Sequence, residues 1–162
     1  MKTTLITNEN YLKLTQFYQT YAAVVDQANW TAWLDMFAED CVYKVQAREN
    51  YDRNLPMAAL SLTSKGMLKD RIYGITETIF HDPYHQLHMV SSPLILSESD
   101  KGVIESQANY TVFRTKNDGI AEVYNVGRYL DRLRITDDGI QIESRLCIFD
   151  NEMILNSLIY PI

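Results

Sequence analysis

Apolar residues recur at intervals of three and four near the start of the chain, and at intervals of two towards its end. Tyr11, Leu14, Tyr18, Tyr21, Val25 and Ala28 trace one stripe with Phe17 and Val24 beside it, which predicts an amphipathic helix over about residues 9–27. Thr7 or Asn8 is placed to cap its start, and Glu9 favours its first turn. Asn29 can cap a second, shorter helix whose Trp30, Trp33, Leu34 and Phe37 share a face. A third helix is expected after Ser64, with Leu68, Ile72, Ile75 and Ile79 on its buried side. Gly66 and Gly74 weaken it, since glycine costs a helix about 1 kcal/mol relative to alanine. Between these helices Cys41–Val45 reads as a strand. Leu55-Pro56 interrupts, and Met57 to Leu62 reads as a short second one.

After residue 86 the pattern changes. Asp100-Lys101-Gly102, Asn117-Asp118-Gly119 and Asp137-Asp138-Gly139 punctuate β-rich runs, and such Asp-Gly pairs mark hairpins because the turn needs positive φ. Leu87 to Phe149 therefore reads as an antiparallel meander of strands longer than the usual five or six residues, so the sheet must curve or bulge. Gly127 is the expected site of the bend. Ile104, Ala108, Tyr110 and Val112 alternate with Glu105, Gln107, Asn109 and Thr111, a strand with one core face. The next strand carries Val123 and Tyr129 on one face and Tyr124, Val126 and Leu130 on the other. Apolar residues on both sides imply a sheet covered on both faces, by the helices on one and by a partner subunit on the other. Helices first and a sheet afterwards give an α+β class. With neither repeat nor linker, residues 1–162 are expected to form a single domain.

Composition narrows the function. Fifteen Lys+Arg against twenty-one Asp+Glu give a formal charge of −6, which disfavours nucleic acid and anionic membrane as partners. Two cysteines, Cys41 and Cys147, are too few for a disulfide framework and lie in apolar runs, so buried free thiols are expected. The start of the chain lacks a signal-like apolar stretch, and no run approaches the roughly 20 apolar residues of a membrane span. A soluble, cytoplasmic protein is the expectation.

The candidate chemistry is sparse. His81-Asp82-Pro83-Tyr84-His85-Gln86-Leu87-His88 contains all three histidines. Three imidazoles and a carboxylate suit zinc or non-haem iron, but Pro83 breaks the helix on which His81 and His85 would share a face. The preferred reading is a helix-to-strand corner turned by Asp82 and Pro83, with histidines bonded to backbone. A curved sheet wrapped on helices can also enclose a pocket, where Asp26, Asp35, Tyr43, Tyr110 or His88 would serve acid–base chemistry. No nucleophile elbow, phosphate loop or dinucleotide glycine pattern is present. Arg128, Arg132 and Arg134 alternate onto one strand face with Asp131 opposite, and Arg145 lies in the following strand. Arginine concentrated on one face of an acidic chain suggests an interface, a solvated face being the alternative. From Met153 to Ile162 no side chain is charged, and Ile154, Leu155, Leu158, Ile159, Tyr160 and Ile162 are large. This tail is expected to be ordered, extended, and packed on the sheet or across a subunit boundary.

The order and spacing of several stretches resemble one family over nearly the full length. They are Asp26 to Phe37, Arg48-Glu49-Asn50-Tyr51, Ser64 to Gly74, His81-Asp82-Pro83-Tyr84, Ser144-Arg145-Leu146-Cys147 and Asn156 to Ile162. Together they are similar to the small (beta) subunits of the Rieske-type aromatic-ring-hydroxylating dioxygenases, most of all those acting on benzoate, anthranilate or salicylate. The family often has Arg-His where this chain has Leu87-His88, so any ion pair of that arginine is missing. The resemblance implies a cone-shaped α+β fold shared with scytalone dehydratase and nuclear transport factor 2. It implies a homotrimer supporting three catalytic (alpha) subunits in a hexamer for bacterial aromatic-acid catabolism. It places the Rieske [2Fe-2S] cluster and a mononuclear Fe(II) on the alpha subunit, with no catalytic, cofactor-binding or metal-binding residue on this chain. Neither cysteine is followed by a histidine at the spacing such a cluster needs. The rival functions are a stand-alone lyase or isomerase of the same cone fold, and a small-molecule-binding module.

Overall fold

The computed structural model describes residues 7–99, 101–154 and 157–162. Its first element is the long amphipathic helix α1, Asn8–Asp26, whose N-cap Thr7 accepts the Asn10 N–H at 3.2 Å. Leu14, Phe17, Tyr18, Tyr21 and Val25 are buried as the stripe requires, while Ala28 falls outside the helix at a positive φ of 51°. Asn29 caps α2, Trp30–Asp35, by accepting the Ala32 N–H at 3.2 Å. Strand β1, Phe37–Ala47, is longer than the expected Cys41–Val45. A short helix α3, Arg48–Asp52, follows it, then β2, Leu60–Leu62.

Helix α4, Lys65–Tyr73, starts at Ser64 as predicted and continues into a single π-helical turn, Gly74–Thr78. The Ile79 N–H donates to the Gly74 carbonyl at 2.8 Å. This i to i−5 closure inserts one residue into the helical repeat. Leu68, Ile72 and Ile75 stay buried, but Ile79 is turned outwards and is 37% exposed. The expectation that Ile79 joins the buried side is corrected on that ground.

The remaining strands are β3 Tyr84–Val90, β4 Leu94–Glu98, β5 Val103–Lys116, β6 Glu122–Thr136 and β7 Gly139–Phe149. The sheet runs β2-β1-β7-β6-β5-β3, and β4 also pairs with β5. β3 and β4 are thus two pieces of one edge, broken at Ser91-Ser92-Pro93. The three hairpin turns fall where the Asp-Gly signals placed them, and Gly102 and Gly139 adopt φ of +70° and +133°; Asp100 lies outside the described residues. One pairing departs from the meander: β1 lies parallel to β7, with Tyr43 opposite Arg145.

Gly127 proves to be a point of close approach. A Cβ there would sit 2.0 Å from the Ile148 carbonyl oxygen, so β7 can lie against β6 only over a glycine. The expected faces of β6 also need correcting. Val112 opposes Asn125 but Phe113 opposes Val123, so Tyr124 is the extra residue of a bulge. Beyond it the parity reverses: Tyr124, Asn125 and Tyr129 are all buried, and Val123 faces outwards. The helices cover the inner face, where α1, α2 and α4 pack on a core running from Leu14 through Tyr43 and Val112 to Ile162. Among the described residues no helix is long and apolar enough to cross a membrane.

Candidate functional site

The place to look for chemistry in a curved sheet wrapped on helices is the hollow between them. Cross-strand register decides what lies there. Ser106 on β5 opposes Asp131 on β6, Asp131 opposes Arg145 on β7, and Arg145 opposes Tyr43 on β1. All four side chains point inwards and are buried. Arg145 donates to Asp131 through Nε at 2.9 Å and Nη2 at 2.7 Å, a bidentate pair. From α1 above, the Tyr18 hydroxyl donates to Asp131 Oδ2 at 2.5 Å and lies 3.0 Å from the Ser106 hydroxyl. The guanidinium carbon also lies 3.8 Å from the Tyr21 ring centroid and 4.4 Å from that of Tyr129. Burial works against the charge on Arg145, but Asp131 and the tyrosines outweigh it and hold the guanidinium well above its ordinary pKa. Burial, reinforced by Asp131, raises Tyr18 well above 10.0.

The tail occupies the part of the hollow beside Tyr21, Trp33 and Tyr43. Ile162 is fully buried. Its carbonyl oxygen accepts from the Tyr21 hydroxyl at 2.8 Å and the Tyr43 hydroxyl at 3.0 Å, and its N–H donates to Tyr43 at 2.8 Å. The Trp33 indole N–H donates to Tyr21 at 3.2 Å. Upstream, Arg71 donates to the carbonyls of Leu158 and Ile159 at 2.5 and 2.8 Å. The Tyr160 ring packs on Tyr84 and Trp30 with centroids 4.6 and 5.4 Å away. Ile154, Leu158, Ile159 and Tyr160 are partly buried against the core. Residues 157–162 are thus packed against the domain, as the absence of charge suggested, but they form no strand and bend at Tyr160; Leu155 and Asn156 lie outside the described residues.

Of the proposed acid–base set, the structure joins only two. His88 Nδ1 lies 2.6 Å from Asp26 Oδ1, and the His88 N–H lies 3.0 Å from both carboxylate oxygens. The imidazole is wholly buried, and its Nε2 has no partner among the described residues. Asp35 is exposed at the end of α2, Tyr43 is committed to Ile162, and Tyr110 donates to Asn125 at 2.8 Å. The histidine segment is a corner, as expected, but among the described residues only the His81 side chain contacts backbone, 3.1 Å from the Asp82 carbonyl. His88 uses the Asp26 carboxylate instead. His85 points to the outer face and His88 to the inner, so β-strand alternation separates them. No group of three or more His, Cys, Asp or Glu converges among the described residues. Cys41 and Cys147 are both buried, and burial pushes the Cys147 thiol up to about 12, so neither is a reactive thiolate.

The outer face has two halves. Towards one end Leu87, Phe113 and Val123 form a row across β3, β5 and β6, followed by Met89, Thr111 and Val126. Leu87 and Met89 are more than half exposed. Towards the other end Arg132 bridges Glu105 and Glu143, and Arg134 also pairs with Glu143. The three outward arginines therefore divide: Arg132 and Arg134 are tied to carboxylates, and Arg128 lies over the Tyr51 ring at 5.7 Å.

The family model for the ring hydroxylating beta subunit matches residues 21–156. The chain belongs to that family. It is 29% identical over 154 residues to the small subunit of an anthranilate 1,2-dioxygenase from Burkholderia cepacia, covering 95% of each chain. A beta subunit assigned to an aromatic-ring-hydroxylating dioxygenase of Novosphingobium aromaticivorans is 32% identical, with a TM-score of 0.85 over 94% of this chain and 97% of that one. The beta subunit of a Burkholderia mallei benzoate 1,2-dioxygenase shares the fold at 15% identity, with a TM-score of 0.75 over 94% of this chain and 97% of that one. Membership thus agrees with the α+β fold and with the resemblance in the sequence. In this beta-subunit fold, sequence reasoning missed the Asp131–Arg145 pair. It assigned Arg145 to no face, and a bulge near Glu143 turns it inwards.

Proposed function

We propose that this chain is the non-catalytic small subunit of a multicomponent Rieske-type dioxygenase acting on an aromatic acid. It works as one domain and forms a cytoplasmic homotrimer. That trimer supports three large subunits in a hexamer. The iron–sulfur cluster and the mononuclear iron belong to the large subunit, and this chain contributes no catalytic, cofactor-binding or metal-binding residue. The observation that carries the reading is that the protein's own groups occupy the centre of the hollow. The Ser106–Asp131–Arg145–Tyr43 row and Ile162 occupy the space a cone-shaped enzyme would reserve for substrate. The apolar half of the outer face supports self-association, since Leu87, Met89 and Val123 are otherwise left to solvent.

The rival lyase reading rests on Asp26–His88, whose imidazole is sealed from solvent. Light scattering of the purified chain at micromolar concentration is expected to give about three times 18.8 kDa. Co-expression with its large subunit is expected to give a hexamer whose turnover survives replacement of His88 by Asn. A monomer that turns over a substrate by itself, and loses that activity in His88→Asn, overturns the reading.

A further inference from the structure

The two ends of the sheet are unlike. At one end the β6–β7 turn carries Asp137-Asp138-Gly139 and is polar. At the other, the histidine corner, the β5–β6 turn and the segment after β7 come together, and each offers a large apolar side chain to water. Phe80 is fully exposed, Ile120 is 89% exposed and Met153 75%. Single exposed apolar residues are ordinary, but three on neighbouring loops at one end are not.

Beside Phe80 lies a crevice of about 370 Å³ lined by Arg71, His81, Tyr84, Arg114 and Lys116, with the tail as its other wall. Lys116 pairs with Asp82 at 3.2 Å and Arg114 with Glu122. Arg71 has no carboxylate partner among the described residues; it holds two tail carbonyls, and its Nε is buried without a partner. An acidic chain has thus gathered three cations and an aromatic anchor at one place. Aromatic residues and arginine are the side chains enriched at interfaces and their hot spots, and charge complementarity selects the partner.

We infer that this end of the sheet docks the catalytic large subunit, through a segment that sets a carboxylate in the Arg71–Lys116 crevice and an apolar side chain against Phe80. This rests on the small-subunit reading, and it assigns to the large subunit a surface distinct from the outer sheet face used between copies. The test compares wild type with Phe80→Asp and Lys116→Glu. Large-subunit association is followed by sedimentation at two salt concentrations, and self-association by light scattering of the small chain alone. Each variant is expected to weaken large-subunit association at least about tenfold, with the Lys116→Glu loss smaller at high salt. Self-association should be unchanged in both; the melting temperature should be unchanged in Phe80→Asp, whose side chain is fully exposed, and slightly lower in Lys116→Glu, which loses the ion pair with Asp82. Unchanged large-subunit association in both variants overturns the inference, as does loss of self-association instead. Benzoate serves as a small-ligand probe: calorimetric binding that Lys116→Glu abolishes, with subunit association intact, also overturns it. If wild type binds no large subunit at all, the small-subunit reading fails first.

Discussion

Arg145 and Arg114 both pair with a carboxylate directly across the sheet and lie against tyrosine rings. Arg145 opposes Asp131 and packs on Tyr21 and Tyr129; Arg114 opposes Glu122 and packs on Tyr124, its guanidinium carbon 4.4 Å from the ring centroid. The parts match, and the surroundings differ. Neither side chain of the inner pair reaches solvent, whereas the Glu122 side chain is 39% exposed. Water near Glu122 screens the attraction and solvates that carboxylate if its partner is lost. Around Asp131 nothing but protein can do so, and a lone charge there is costly. Burial makes one pair part of the core, while the carboxylate of the other stays within reach of water.

The largest expected effect separates the two. Replacing Asp131 by Ala strands the Arg145 charge and should destabilise the fold by about 3–5 kcal/mol in denaturant unfolding. Replacing both partners, Asp131→Leu with Arg145→Met, should recover most of that loss. A double variant as unstable as the single one would show that packing on the tyrosines, not the charge pair, holds the interior.

Removing residues 157–162 comes next. It takes the acceptor from Tyr21 and Tyr43, and an unpartnered buried hydroxyl costs about 1–3 kcal/mol. The melting temperature should fall measurably; an unchanged value would mean that water replaces the tail without penalty.

A smaller effect is set by pH. Burial holds Tyr21 and Cys147 neutral, each pushed up to about 12 from ordinary values of 10.0 and 9.0. Between those values the folded chain keeps protons that the unfolded chain has released. Stability is therefore full below about pH 9, falls as pH rises, and this contribution is gone once pH passes 12. Tyrosinate absorbance at high pH should accordingly appear in two stages, exposed tyrosines first and the interior ones together with unfolding. The smallest change is expected for Glu122→Gln beside Arg114, under about 1 kcal/mol by the same unfolding measurement.

Much of this architecture was legible in the sequence, and the reason the rest was not is local. The stripe on α1, the caps at Thr7, Asn29 and Ser64, and the turns at Gly102, Gly119 and Gly139 are signals carried by neighbours in the chain, and each falls in place. The inner pair depends on an irregularity that periodicity cannot see. Counting back from Thr136 opposite Gly139, an unbroken ladder sets Asp131 opposite Ser144. The extra residue near Glu143 moves Arg145 into that position and turns it inwards. The bulge at Tyr124 reverses the parity of β6 in the same way. The Asp26–His88 contact joins the end of a helix to a distant strand, and no spacing rule links them. The parallel pairing of β1 with β7 was likewise invisible, since it joins the two ends of the fold.

That pairing sets an order of events during synthesis. β7 lies in the middle of the sheet, between β1 and β6, yet it leaves the ribosome after every other strand. Until it arrives, β1 with β2 and the β3 to β6 hairpins are separate fragments, each with an open edge facing the gap that β7 will close. Contacts so distant in sequence form slowly, so the nascent chain carries two adhesive edges until its final stretch is made. A ribosome stalled before Gly139 should hold a protease-sensitive intermediate, and one stalled well beyond Ile162 a resistant one. Interchain pairing at those edges is the characteristic misassembly to expect when this chain is overproduced.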